Sequence, residues 1–313
     1  VPAQGRTITL SHLGRVEGHG GIRVRVSGTT VEEVKLDVFE GSRYYEALLK
    51  GRHFLEVQGI ITRVCAICSA GHTVAALGAL EKALDIRVSP RVHDLRGLLV
   101  LGSTIESHAL HVFALALPDF LGFDSVLSMA RDHGETVGFA LRLKQLGNRI
   151  QELVGGRAIH PVNTVVGGFA RLPSRTALET VREQLAAVLD PLLRTADTVA
   201  AIPVPEWGEQ RAVYMALRPY EDAYRFRGDV LHTSDGREFP VDEYRRLVRE
   251  FTVEHSHARY AALASGEVYM VGALARLRLW GALLGGRARA VFERLFPAGV
   301  APNALLNTWA QLV

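Results

Sequence analysis

Over its first forty residues the chain alternates. Thr7-Ile8-Thr9-Leu10, Gly21-Ile22-Arg23-Val24-Arg25-Val26 and Val31-Glu32-Glu33-Val34-Lys35-Leu36-Asp37-Val38 alternate or are β-branched, and Ser27-Gly28 marks a turn. Such a pattern predicts antiparallel strands. After that the spacing becomes helical. Helices are expected over about Tyr44–Leu49, Cys68–Leu84, Pro90–Leu115, Leu127–Val154, Ser174–Ala200, Val241–Phe251 and Leu283–Leu295, with a last one starting near Ala304. Leu98, Leu99, Leu101, Ile105, Leu110, Val112 and Phe113 cover much of one helix, which predicts a central helix packed on several faces. Pro118-Asp119 and Gly155-Gly156 are expected to stop two helices. A hairpin from Tyr224-Arg225-Phe226 to Glu238-Phe239-Pro240 is expected around Ser234-Asp235-Gly236. The fold class that follows is α+β, mainly α: a bundle of long helices with an N-terminal antiparallel β-sheet and a small β insertion. A single domain is expected over residues 1–313, with a β-rich start at 1–40 and a helical body at 41–313.

Composition adds limits. Hydrophobic residues at 48% and charged residues at 22% describe a globular protein, and a mean hydropathy of +0.12 fits a subunit that buries a face against a partner. The net charge of +3 is mild and the arginines are scattered, so nucleic acid is not an expected partner. There is no run of about 18 uninterrupted apolar residues, so a membrane span is not indicated. Val1-Pro2-Ala3-Gln4-Gly5 has no charged segment leading into an apolar core and does not resemble a signal peptide. Two cysteines close in sequence are not a disulfide framework, and a reducing cytoplasm is the expected location.

Those two cysteines carry the chemistry. They lie in Arg63-Val64-Cys65-Ala66-Ile67-Cys68-Ser69-Ala70-Gly71-His72, three apart, with a histidine four further on. If Cys65 opens a helix, positions i, i+3 and i+7 fall within about one-sixth of a turn, so both sulfurs and the imidazole share a face. Thiolate is a soft ligand that selects zinc, copper(I), iron–sulfur clusters or nickel. Two other readings stay open from spacing alone: a redox dithiol, and a pair of inert buried side chains. A second segment, Gly14-Arg15-Val16-Glu17-Gly18-His19-Gly20-Gly21, sits between two strands. A partly buried Glu17 there would relay protons with its pKa pushed up, whereas a solvated Glu17 would merely decorate a glycine-rich turn.

Taken together, Arg-Val-Glu-Gly-His near the start and Arg-x-Cys-x-x-Cys-x-x-x-His later closely resemble the large subunit of nickel–iron hydrogenases. Glu106-Ser107-His108 with Leu117-Pro118-Asp119-Phe120 resembles that family's central helix and its exit. Gly156-Arg157-Ala158-Ile159-His160-Pro161 with Gly167-Gly168, and Glu254-His255-Ser256 with Glu267 to Arg276, resemble further blocks.

The resemblance implies roles. Cys65 would be a terminal thiolate on nickel, and Cys68 would bridge nickel to an iron carrying carbon monoxide and cyanide. His72 would hydrogen-bond to the bridging sulfur, and Glu17 would pass protons to the surface. Glu46 lines up with the family's glutamate ligand to a magnesium-type ion, and Arg63 and His160 would shape the site. An iron–sulfur small subunit is implied as partner, because no further cysteine is present to hold clusters. Further subunits would reduce a nicotinamide, a deazaflavin or a disulfide. Ala66 stands where the family commonly has glycine, as in its cytoplasmic, cofactor-coupled branches. The family completes its centre with a second Cys-x-x-Cys near the C-terminus, and no cysteine follows Cys68. The sequence is therefore expected to lack the C-terminal part of the large subunit; on its own it would be inactive. The alternative is a metal-free scaffold similar to the quinone-site subunit of respiratory complex I. Among the other histidines, His108 and His111 are expected in the core or an interface, and His255 and His257 on backbone groups. His12, His53, His93, His133 and His232 are expected at the surface or in loops.

Overall fold

A computed structural model describes residues 5–220 and 223–313; Val1–Gln4, on which the signal-peptide expectation partly rests, lie outside them. The chain opens with β1 (Arg6–Leu10), β2 (Gly20–Ser27), β3 (Thr30–Val38), α1 (Ser42–Leu49), α2 (Phe54–Ile61) and α3 (Ser69–Ala83). It continues with α4 (Pro90–Ala109), a π-helical segment (Leu110–Ala116), α5 (Leu117–Leu121), α6 (Val126–Met129) and α7 (Gly134–Gly155). Next come β4 (Thr164–Val165), β5 (Gly168–Phe169), α8 (Arg175–Ala200), β6 (Val213–Leu217), β7 (Val230–Thr233) and β8 (Glu238–Pro240). The last elements are α9 (Tyr244–Leu247), β9 (Val248–Val253), β10 (Ser256–Leu263), β11 (Tyr269–Met270), α10 (Ala273–Trp280), α11 (Gly286–Leu295) and α12 (Leu306–Ala310). The mainly helical α+β class is as expected, and β7–β8 is a hairpin around Ser234-Asp235-Gly236, with its first arm at Val230–Thr233 and not at the expected Tyr224–Phe226.

Contacts divide the chain into two compact units. The first takes the chain up to Arg52 together with Asp242–Val268. Its antiparallel sheet runs β1-β2-β3, with Ile8 opposite Val24 and Val24 opposite Val34, so the alternating side chains line up on one face. Its second sheet is the antiparallel hairpin β9–β10, joined to β3 by the Tyr260 hydroxyl donating to the Leu36 carbonyl at 2.5 Å. Here the expected helix Val241–Phe251 is corrected. Val241–Glu243 is a 3-10 turn and Tyr244–Leu247 a single α-helical turn, and Val248–Val253 is a strand whose Phe251 lies opposite Tyr260. Val241, Tyr244, Val248 and Phe251 fit helical spacing, but the β-branched and aromatic residues find a partner strand beyond the turn.

The second unit holds His53–Val241 and Tyr269–Val313. In it α4 passes through the π-helical segment into α5 without stopping at Pro118 as expected. Pro118 falls in the first turn of α5, where its missing N–H is not needed, and the run ends at Gly122 with φ 79°. The 32 residues Pro90–Leu121 are long and apolar enough for a membrane span by length and composition alone. Within the unit, 39% of its apolar window is buried, and Leu95, Leu99 and Ala109 are among the buried side chains of α4. The expected helix Leu127–Val154 is two helices, because Ser125 caps the short α6 and α7 starts afresh at Gly134. Neither α2 nor α10 was foreseen. The principal core gathers Val112, Phe113, Phe139, Val199, Leu274, Val291 and Trp309 from six segments.

α4 and α7 meet at glycine. A Cβ on Gly147 would lie 2.6 Å from both the Glu106 amide nitrogen and the Gly102 carbonyl, and one on Gly102 would lie 2.8 Å from Ile150. Just beyond the crossing the buried Glu106 carboxylate accepts from Gln151 Nε2 at 2.6 Å and pairs with Lys144 at 3.3 Å. Gly147→Ala should therefore cost about 1–3 kcal/mol in urea unfolding, since two backbones must separate. Gly97→Ala, facing open space on the same helix α4, should be neutral or stabilising by about 0.5–1 kcal/mol.

Candidate metal centre

The cysteines lie where α2 turns into α3. Cys68 is the residue that caps α3, while Cys65 sits in the turn before it and not on the helix. The shared helix face expected from the spacing is thus corrected for Cys65. The chain folds back instead: the Cys68 amide points at Cys65 Sγ at 3.2 Å, and the Ser69 amide donates to the Ala66 carbonyl at 3.3 Å. The two sulfurs meet and are joined as a disulfide, with Cα atoms 5.3 Å apart. A bonded pair offers no thiolate, whereas the same pair reduced presents two soft donors to one ion. The donor chemistry fits half of a four-thiolate nickel site. Among the described residues no group of three or more His, Cys, Asp or Glu converges on a point. His72 is half-buried in the first turn of α3, its amide donating to the Cys68 carbonyl at 3.1 Å.

A buried polar clamp surrounds the turn. Thr73 Oγ1 donates to the Ser69 carbonyl at 2.7 Å and bonds Thr62 Oγ1 at 3.0 Å, and Thr62, Ser69 and Thr73 are almost wholly buried. Ser103 of α4 donates to the Ile67 carbonyl at 3.1 Å. From the connection after α7, the His160 amide donates to Ser69 Oγ at 3.0 Å and its Nδ1 to the Thr62 carbonyl at 2.7 Å. Arg63 is exposed and donates to Gly59 at 2.5 Å. Thr62, Ser69, Thr73 and Ser103 have no signature in the local sequence, since their partners are set by the fold.

Further along α3 lies a buried ion pair that the sequence did not flag. Arg96 of α4 grips Glu81 through both terminal nitrogens at 2.7 and 2.6 Å, each residue 4% exposed. Glu81 also accepts from the Gly167 amide at 2.7 Å, and Arg96 donates to the Val165 carbonyl at 3.0 Å. Burial pushes the Glu81 carboxyl up, but Arg96 and the Gly167 amide outweigh it and hold it below the usual range.

The other candidates belong to the first unit. Glu17 is exposed in the connection between β1 and β2, beside Gly18 with φ 89°, which is the solvated, glycine-rich-turn arrangement of the two considered for it. Glu46, on α1, is exposed and pairs with Arg259 at 3.1 Å. His257 donates to the Phe39 carbonyl at 2.8 Å, the backbone role expected of it.

The second unit also contains a largely apolar cavity of about 840 Å³, bordered by Leu98, Leu101, Phe113 and Leu312 with His108 and Arg276 as polar members. His108 Nδ1 donates to the Gln311 carbonyl at 3.2 Å, and His111 Nδ1 bonds Gln311 Oε1 at 2.6 Å. Burial, then the Arg276 charge, pulls the His108 imidazole down to about 4.

Known proteins resemble this chain in both sequence and fold. A family model described as nickel-dependent hydrogenase matches residues 43–145. The chain is 38% identical over 304 residues to the alpha subunit of sulfhydrogenase 1 from Pyrococcus furiosus, covering 97% of this chain and 71% of that protein. It is 30% identical to a subunit of the F420-non-reducing vhu hydrogenase of Methanocaldococcus jannaschii, covering 87% and 70%. In fold it is similar to an NAD+-reducing [NiFe]-hydrogenase solved in its H2-reduced state, with TM-score 0.88 at 24% identity over 98% of this chain and 74% of that one.

The His108 environment makes stability depend on pH. Unfolded, the imidazole takes up a proton near 6.5; folded, it refuses one until about 4. Its contribution is therefore complete above pH 6.5 and lost as pH falls from 6.5 towards 4, by up to about 3 kcal/mol. Urea midpoints followed through that window should fall, and His108→Asn should make the fall shallower.

Proposed function

The chain belongs to the nickel-dependent hydrogenase family, and we infer from that membership that it is the large, metal-bearing subunit of a [NiFe] hydrogenase, interconverting dihydrogen with protons and electrons. The observation that carries this is the Cys65–Cys68 turn, clamped at the start of α3 within a chain 38% identical to a sulfhydrogenase alpha subunit over nearly its whole length. When bound, the nickel–iron pair supplies the Lewis-acidic, redox-active partner needed to split dihydrogen heterolytically.

This chain's residues do the rest. Reduced, Cys65 and Cys68 would hold the metals through their thiolates, and His72 would orient the Cys68 sulfur. Two more thiolates complete the set from polypeptide beyond Cys68's own chain segment, as the family's second Cys-x-x-Cys does. The Cys65 sulfur would be the first proton acceptor, and the resemblance of Arg15–His19 supports the exposed Glu17 carboxylate as a later proton carrier. We further propose carbon monoxide and cyanide on the iron and a magnesium-type ion at Glu46. Electrons leave through an iron–sulfur small subunit, because these 313 residues contain only two cysteines. Both relatives are named as subunits of hydrogenases, which supports a heteromeric complex. Partners that reduce a nicotinamide, deazaflavin or disulfide, and a cytoplasmic location, follow from the same branch of the family.

Metal analysis of the matured protein in its complex should find nickel and iron, with carbonyl and cyanide bands in the infrared. Absence of both from a matured sample overturns the assignment. Cys65→Ser or Cys68→Ser should abolish nickel loading, because serine is a harder and far less acidic ligand. Glu17→Gln should keep the metals yet lower hydrogen–deuterium exchange by about 10²–10⁴-fold. Normal exchange in a metal-replete Glu17→Gln protein removes Glu17 from the proton path.

A further inference from the structure

His160 is held in a conformation that side chains avoid. Its φ is 57°, in the left-handed region, where a non-glycine residue persists only if its surroundings compensate. The compensation is specific. The backbone amide donates to Ser69 Oγ at 3.0 Å and Nδ1 to the Thr62 carbonyl at 2.7 Å. A carbonyl partner requires Nδ1 to carry the hydrogen, which fixes the tautomer. These two contacts bracket the cysteines: Thr62 lies three residues before Cys65, and Ser69 directly follows Cys68. Thr73 ties the two jaws together through the Ser69 carbonyl and the Thr62 hydroxyl. One residue, 92 positions beyond Cys68, thus staples both ends of the turn.

We propose that His160 is a positioning residue which holds the Cys65–Cys68 turn in its chelating shape before any metal arrives. The physical reason is effective concentration. A sulfur on a turn pinned at both ends meets its partner far more often than one on a loose turn, and the ordering cost is met during folding. The same gain favours chelation of one ion by the reduced pair and closure of the oxidised pair, so it is measurable without metal. Its meaning for hydrogenase assembly rests on the function proposed above; the clamp itself does not.

The test equilibrates the metal-free full chain with reduced and oxidised glutathione and counts free thiols by alkylation and mass. Each turnover breaks the Cys65–Cys68 bond, oxidises two glutathione thiols to one disulfide and passes their two protons to the cysteine sulfurs. His160→Ala should lower the constant for closure about three- to tenfold, the worth of the one side-chain hydrogen bond it removes, a tenfold change being about 30 mV. His160→Asn should stay within about twofold of the wild type, because asparagine tolerates the left-handed region and its amide can donate in place of Nδ1. A histidine that merely stabilises the fold would lower the urea midpoint and leave the closure constant of the folded protein unchanged, which overturns the proposal. If His160→Ala does not fold, Ser69→Ala removes the acceptor of the His160 amide and is read the same way. Nickel content of the matured complexes separates the two readings. A wild type without nickel removes the hydrogenase assignment and leaves the thiol result standing, whereas an unchanged closure constant removes the clamp and leaves the hydrogenase assignment intact.

Discussion

Two helix backbones touch at Gly102 and Gly147 with no side chain between them, and both arms of the cysteine clamp hang from that crossing. One arm is α4 itself. The residue after Gly102 is Ser103, whose hydroxyl reaches the Ile67 carbonyl inside the cysteine turn. Less than two turns earlier on the same helix, Arg96 grips α3 through Glu81. The other arm leaves the end of α7, where Gly156 at φ 81° turns the chain towards His160. A wider crossing would carry Ser103 and His160 away from their partners together. Close approach of the backbones is thus the constraint that converts a helix pair into a holder for two sulfurs.

Polar groups buried along these helices are costly to desolvate, and each is answered in kind. Glu81 has three donors from two residues, on α4 and beside β5, so its charge survives burial. Glu106 is met by Gln151 and Lys144 of α7. Removing one partner of such a set leaves a charge stranded, which is why these groups fix one register of α3, α4 and α7 more strictly than apolar packing would. The Arg96 Nε remains without a hydrogen-bond partner, while the same guanidinium makes three other contacts.

Much of the fold was legible because long helices and the N-terminal sheet write their periods into the sequence. Helices α8 and α4 begin within a residue of where the spacing put them, each behind a serine whose side chain caps the first turn, Ser174 and Ser89. What failed had local ambiguity. The segment from Val241 to Phe251 satisfies two periods at once, and only the partner strand β10 decides between them. Helix α2 is so uniformly apolar that no face stands out, although His53 and Glu56 form a capping box at its start. At the site, the cysteine pair was legible as chemistry and misread as geometry, since Cys65 belongs to a turn. The clamp was illegible because Thr62 and His160 are 98 residues apart. The resemblance singled out His160 without giving the bonds through which it acts.

The turn therefore presents its sulfurs by using up its other donors and acceptors. The carbonyls of Thr62, Ile67 and Ser69 are engaged by His160, Ser103 and Thr73, so three of the oxygens that would otherwise compete for a hard cation already have donors. The residues that carry the sulfurs are half-buried at Cys65 and exposed at Cys68. A reduced pair of gathered sulfurs discriminates by softness, favouring nickel or iron over magnesium or calcium before any second pair of thiolates is added. The disulfide is the other use of the same arrangement, because two sulfurs placed to share an ion are also placed to bond each other. Chelation and closure then compete for one geometry, and the redox state of the pair decides which of them the clamp serves.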